Sequence, residues 1–263
     1  MQNILRGLRI GVLVAALVAA ALAPSASARP HVKDIYSPDQ LSWGFEACRA
    51  LFPNSQPTDV RALAPRWRAI ALCSDDFAVI YSGLSKTPLL VVEKISRHSL
   101  MMAQAVKRED NFFPDTRAKR RDRANLHDYK GSGFDRGHMA AAANRASDRA
   151  MRQSFALTNM VPQDPTSNRK TWNKLERDTR RYAKRAKGDV FVFSGPLFES
   201  PTAVTIGKSR VWVPSHLFKL VVDLEAKKSW AHLVSNDNTA YRGPPLTYDQ
   251  FVSRTGWDVL PEP

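Results

Sequence analysis

Only one long stretch of this chain sustains a helical period. From Asn168 to Lys187, the residues Trp172, Leu175, Thr179, Tyr182 or Ala183, and Ala186 recur at three- and four-residue intervals, which lines them up as one apolar stripe of an α-helix. Glu176 and Arg180 are spaced i, i+4 on the flank of that stripe, and Arg177, Arg181, Lys184 and Arg185 cover the outer face. Elsewhere the apolar residues come in short runs rich in β-branched and aromatic side chains. Phe77 to Tyr81 and Leu89 to Val92, separated by a Ser-Gly turn, read as a hairpin; Val190 to Phe193, Arg210 to Val213 and Leu217 to Leu224 read as further strands, and Tyr248 to Arg254 as a short terminal helix. Many strands interrupted by one long helix predict an α+β fold with an antiparallel sheet core.

The N-terminus reads as a processing signal rather than as fold. Arg6 and Arg9 form a positive region, Ile10 to Ala23 an apolar one, and Ala26-Ser27-Ala28 a small-residue cleavage site. The alternative, a membrane anchor, needs about 20 apolar residues, more than this stretch supplies. The expected organisation is a signal peptide at 1–28, a Pro- and Ser-rich lead-in at 29–69 with little regular structure beyond a turn near Leu51 to Pro53, and one domain at 70–263. No membrane span is expected in the mature chain, which is exported to the periplasm or secreted. In an oxidising compartment Cys48 and Cys73, the two cysteines of the chain, are expected to pair; two buried thiols are the alternative. Two cysteines are too few for a four-cysteine zinc module.

The chain has 39 Lys and Arg against 25 Asp and Glu, a net charge of +14. Removal of 1–28 takes Arg6 and Arg9 and no acid, so the working domain keeps 37 basic and 25 acidic residues, a charge of +12. With 43% apolar residues the chain can bury a normal core, and its excess base points to a polyanionic partner.

The segment Tyr129-Lys130-Gly131-Ser132-Gly133-Phe134-Asp135-Arg136-Gly137-His138-Met139 carries the chemistry. A neutral His accepts a proton from water near pH 7, an adjacent Arg grips a phosphate oxygen, and Gly lets a substrate approach the backbone. Each residue also has a plainer reading. A lone His is often a hydrogen-bonded structural residue, Asn168 suits a helix N-cap, and Glu176 with Arg180 suits a surface pair worth about 0.3–0.5 kcal/mol.

The string DRGH at 135–138, followed by TNMVPQDPTSNRKTWNKLE at 158–176, resembles the DNA/RNA non-specific endonucleases, the ββα-metal or His-Me finger group. The likeness extends upstream to KTPLLVVEKISRHSL (86–100) and KRED (107–110), and downstream to FVFSGPLF (191–198), VPSHLFKLVVD (213–223) and TGWDVLP (255–261). It implies a ββα motif in which His138 ends one strand, Phe155 to Met160 forms the second, and the helix near Asn168 crosses behind them.

The resemblance also implies roles. His138 is the general base, and Asn168 is the single protein ligand of a divalent metal, Mg2+ or alternatively Mn2+ or another divalent cation. Glu176 orients water held by that metal. Arg108, Arg136 and Arg180 bind substrate phosphate, Asp135, Asn159 and Gln163 brace the site, and Met139 packs beneath it. The implied activity is cleavage of DNA and RNA through the phosphate backbone to 5′-phosphate and 3′-hydroxyl ends. The outer helix face and the basic cluster at 117–123 are expected to form a solvated tract that gathers nucleic acid. Two rivals are a non-catalytic, exported polyanion-binding protein and a restricted, toxin-type nuclease of the same fold guarded by an inhibitor protein.

Overall fold

The computed structural model describes residues 35–199 and 204–260; the expected signal peptide at 1–28 lies outside them. Six antiparallel strands form the main sheet: β1 (Ala69–Cys73), β2 (Phe77–Ser82), β3 (Thr87–Ile95), β6 (Val190–Leu197), β9 (His216–Asp223) and β10 (Lys228–Ser235), in that spatial order. Two small ribbons accompany it, β4 (Asp135–His138) with β5 (Met160–Gln163), and β7 (Thr205–Ile206) with β8 (Val211–Trp212). The chain is therefore α+β with an antiparallel core. Among the described residues no helix is long and apolar enough to cross a membrane.

Both faces of the large sheet are buried, which is why its strands read as continuous apolar runs instead of alternating ones. Ala78, Ile80, Leu90, Val92, Phe193 and Leu220 point to one side. That side is covered by the terminal helix, through Phe251, and by the lead-in, through Phe45, Cys48, Leu51 and Phe52. Val79, Tyr81 and Val91 point to the other, against Met139, Val161, Trp172 and Leu175. The lead-in is thus more ordered than its composition suggests. It forms short helical turns at Pro38–Leu41, Glu46–Leu51, Pro53–Ser55 and Ala64–Trp67, held in place by apolar burial that has no helical or strand period.

The Cys48–Cys73 disulfide fastens this lead-in to β1, closing a separation of 25 residues; on the chain-entropy model such a loop stabilises the fold by roughly 3–4 kcal/mol.

Everything between β3 and β6 lies on the second face. This insertion contains α1 (Arg97–Met102), α2 (Asp148–Ser154), the β4–β5 ribbon, and a wide helical turn at Ser167–Trp172 that runs into α3 (Asn173–Ala183); α4 (Tyr248–Thr255) is the terminal helix. The expected second finger strand at Phe155 to Met160 is displaced. Residues before Phe155 form α2, Leu157–Asn159 make a tight turn, and the strand is Met160–Gln163. The cause is Asn159, whose amide donates to the carbonyls of Ala140 (3.0 Å) and Ser154 (2.9 Å) and accepts from Ala140 N–H (2.8 Å). Those bonds hold the turn and delay the strand. Pairing then sets Asp135 opposite Gln163 and His138 opposite Met160. Gly137 is required in this ribbon because a Cβ there would collide with the Gln163 side chain.

Candidate active site

Asp164 caps the helix that follows β5. Its Oδ1 accepts from the N–H groups of Thr166 (2.7 Å) and Ser167 (3.1 Å), so Asn168 is not the cap and lies one turn inside. The amide of Asn168 donates to Asp135 Oδ2 (2.9 Å), which turns the amide and leaves its Oδ1 to the cleft that Asn168 lines. Asp135 also accepts two bonds from Arg169, at 2.8 and 2.7 Å. Burial pushes its carboxyl up, but the Arg169 and Asn168 hydrogen bonds outweigh burial and hold it below the usual carboxylate range. Asp135 therefore stays charged and ties β4 to the helix.

His138, Asn168, Arg108, Arg136, Glu176 and Arg180 line one cleft of 630 Å³, although they span 73 positions of sequence. His138 is 9% exposed and sits between two aromatic rings, 4.9 Å from Phe155 and 5.7 Å from Phe112 between centroids. Its carbonyl accepts from Trp172 Nε1 (3.0 Å), which docks the strand end onto the helix. Its Nε2 is buried without a hydrogen-bond partner. The same rings carry the arginines: Arg136 stacks 4.2 Å over Phe112 and Arg108 lies 5.4 Å over Phe155. Phe112 and Phe155 were not anticipated as site residues. For Phe112 the available signal was the Phe112–Phe113 pair between the KRED arginine and the basic cluster at 117–123, since rings hold guanidinium planes and exclude water; Phe155 carried none.

Burial, followed by the charges of Arg108, Arg145 and Arg136, pushes the His138 pKa down to about 3. In the unfolded chain a histidine titrates near 6.5, so between about 6.5 and 3 the unfolded chain binds the extra proton. The stability that neutral His138 gives the fold is therefore complete above pH 6.5 and falls as pH drops toward 3. In the free protein the His138 ring resonance is expected to stay in its neutral form from pH 8 to pH 5 by NMR; a midpoint near 6.5 would contradict the buried, cation-flanked setting.

Glu176 and Arg180 are not a surface pair. Their side chains are 15% and 18% exposed and 3.9 Å apart. Burial pushes the Glu176 carboxyl up, with Lys219 and Arg180 pulling the other way. Behind them, Arg180 donates to Asn144 Oδ1 (3.3 Å), Asn144 donates to Glu93 Oε2 (2.9 Å), and Glu93 pairs with the fully buried Arg145. This chain of contacts, which the sequence did not reveal, anchors the cleft wall to β3.

Asn159 and Gln163 are fully buried. Gln163 donates to Ser167 Oγ at 3.4 Å, and Met139 is buried in the cluster with Trp172 and Val161. The basic cluster at 117–123 departs from expectation. Arg117 is buried against Asp115 (2.7 Å) and stacks on Tyr36, and Arg123 donates to the carbonyls of Ala118 and Thr116. Both are spent on folding, because the loop they stabilise crosses the lead-in. Lys119, Arg120 and Arg121 remain exposed.

The family model described as DNA/RNA non-specific endonuclease matches residues 65–261. Human mitochondrial endonuclease G is 39% identical over 162 residues, which is 58% of this chain and 54% of that protein. Human mitochondrial nuclease EXOG is 36% identical over 193 residues, 67% of this chain and 52% of that protein. This chain thus spans about half the length of these curated relatives. A chain of the solved EndoG/EndoGI inhibitory complex superposes with a TM-score of 0.63 at 28% identity, covering 71% of this chain and 83% of that one. A match over most of the chain, with the DRGH strand and the Asn168 helix inside it, makes this protein a member of the DNA/RNA non-specific endonuclease family.

Proposed function

We propose that the protein is an exported endonuclease that hydrolyses phosphodiester bonds of DNA and RNA to 5′-phosphate and 3′-hydroxyl ends, using Mg2+ or, in its place, Mn2+ or another divalent cation. The observation that carries this reading is the convergence of a neutral histidine, a free amide oxygen and three arginines on one cleft. A polyanion-binding protein needs the arginines alone.

The donor set suits a hard divalent cation. Asn168 Oδ1, left free by the bond from its amide to Asp135, would hold the ion as its single protein ligand, Glu176 on the same wall would orient water held by it, and the other positions would be left to water and phosphate oxygens, as Mg2+ favours. Among the described residues no group of three His, Cys, Asp or Glu side chains forms an all-protein cage. When bound, the ion supplies positive charge against the crowded phosphate and the departing 3′-oxygen.

The chain's own residues do the rest. Arg108 and Arg136, stacked on their rings, grip non-bridging phosphate oxygens. His138 takes the proton of the attacking water. A base held near 3 is weak at neutral pH, but two of the charges that depress it belong to Arg108 and Arg136. A phosphate seated on those arginines offsets their charge and raises the His138 pKa as substrate binds. These contacts address phosphate and no base edge, so they position without reading sequence. Attack by external water makes the 2′-hydroxyl dispensable, which admits both nucleic acids. Export is supported by the leader pattern at 1–28 and by the disulfide.

Purified protein incubated with Mg2+ is expected to degrade plasmid and a folded RNA alike, to stop in EDTA, and to leave ends that a kinase labels only after phosphatase treatment. Sparing of RNA, or cleavage undiminished in EDTA, would contradict the reading.

A further inference from the structure

The cleft does not end at Arg180. Arg108, Ala143 and Arg180 also wall a second depression of 310 Å³, whose apolar lining includes Leu100, Val106 and Met151 and which Lys184 completes. Farther along, Arg97, His98, Arg185 and Lys187 line a third depression of 690 Å³ beside the exposed Met101. The two are joined where Arg97 Nε donates to the Lys184 carbonyl (2.8 Å). The three depressions follow one line, from the candidate catalytic residues past the C-terminal end of α3 to α1.

Charge along α3 is distributed to match. Lys174, Arg181 and Arg242 are gathered around Asp178, and Arg169 is held by Asp135. Among the described residues, Arg97, Lys184, Arg185 and Lys187 form no ion pair, and all four are exposed. Asp189, an acid on this line, is occupied by Lys94 (3.4 Å). Among the described residues Lys170 and Arg177 are also exposed without an ion pair, but four uncompensated cations gather where the groove leaves the catalytic cleft.

Unpaired cations above an apolar floor match single-stranded nucleic acid. Its phosphates seek cations and its unstacked bases seek apolar surface, whereas a duplex keeps its bases stacked and would leave the floor unused. Resting on the nuclease reading above, we propose that this groove holds the strand flanking the scissile phosphate. A splayed base lies over Leu100, Val106 and Met151, and the following phosphates lie on Lys184 and Arg97. Cations at the end of a helix also complement its dipole; that role alone would appear in thermal stability and not in strand affinity.

The test is fluorescence anisotropy of the full chain in EDTA with a single-stranded dodecanucleotide and with the corresponding duplex. Lys184→Glu combined with Arg97→Glu removes two phosphate contacts. It is expected to weaken single-strand binding by about 25-fold at 0.1 M salt and to lower the slope of log affinity against log salt by about 1.4. The same charge change at exposed positions on elements that pack against the opposite face of the sheet, Arg66→Glu with Arg254→Glu, is expected to weaken binding by less than about threefold. If the reversed pair does not fold, Lys184→Gln with Arg97→Gln carries the same comparison at smaller effect. Equal weakening by both pairs, a change in melting temperature with no change in affinity, or equal losses for duplex and single strand would each overturn the proposal. Wild-type protein given the same oligonucleotide with Mg2+ separates the two readings. Binding as described without cleavage defeats the nuclease reading and leaves the groove, and cleavage with affinity indifferent to the groove pair defeats the groove alone.

Discussion

His138→Ala is expected to lower kcat for phosphodiester cleavage by about 10²–10⁴-fold, the contribution of a positioned general base, with affinity for substrate changed by less than about threefold. The ring is enclosed by Phe112 and Phe155 and its Nε2 has no hydrogen-bond partner, so its removal breaks no hydrogen bond to the ring nitrogens that the structure shows. The bond that docks this strand to Trp172 uses the backbone carbonyl and survives the substitution. Loss of turnover with binding retained and only a modest fall in melting temperature, from the cavity left between the two rings, read by a gel-based cleavage assay beside anisotropy and thermal melting, is the expected outcome. Retained turnover would remove His138 from the chemistry, and a collapse of stability would make it structural.

The second large effect concerns the wall behind the site. Glu93→Ala is expected to cost about 3–5 kcal/mol of stability, because it leaves a buried charge without its partner. Arg145 is fully buried, Glu93 is 2% exposed, and Asn144 loses its acceptor as well. Urea unfolding would show the loss directly. Glu93→Gln, which keeps an oxygen for Asn144, is expected to lose less, and equal losses from the two variants would mean that the charge pair carries the stability and the Asn144 hydrogen bond adds little. Because Asn144 also receives Arg180, either variant is expected to disturb Arg180 before the fold is lost.

The contrast between these two sites explains what the sequence could and could not disclose. His138 and Asn168 were legible because their surroundings are local: DRGH sits on one strand, the helical stripe from Trp172 is periodic, and a family likeness joins them. The Glu93–Arg145–Asn144–Arg180 chain was not legible, since Glu93 and Arg145 lie 52 residues apart and buried ion pairs carry no period. The disulfide was read from the cysteine count and the leader pattern, not from geometry. Phe155 was placed on a strand because its apolar neighbours favour one, and the Asn159 side chain overrode that preference. The strand Lys228–Ser235 went unread because it lies at the sheet's edge, half exposed, and alternates too weakly to stand out. The lead-in was underrated for a similar reason: Phe45, Leu51 and Phe52 are buried without any spacing that announces it.

Asn168 is where these lines meet, since it is the residue proposed to hold the ion while His138 handles the water. The most direct measurement is a paired one on Asn168→Ala: single-turnover cleavage of a labelled duplex at saturating Mg2+, and affinity for the same duplex in EDTA. Loss of one electrostatic anchor at the reacting phosphate is expected to slow cleavage by about 10²–10³-fold, with affinity held within about threefold because the arginines still grip the backbone. If cleavage persists near the wild-type rate, or if affinity falls in step with it, Asn168 does not hold the metal.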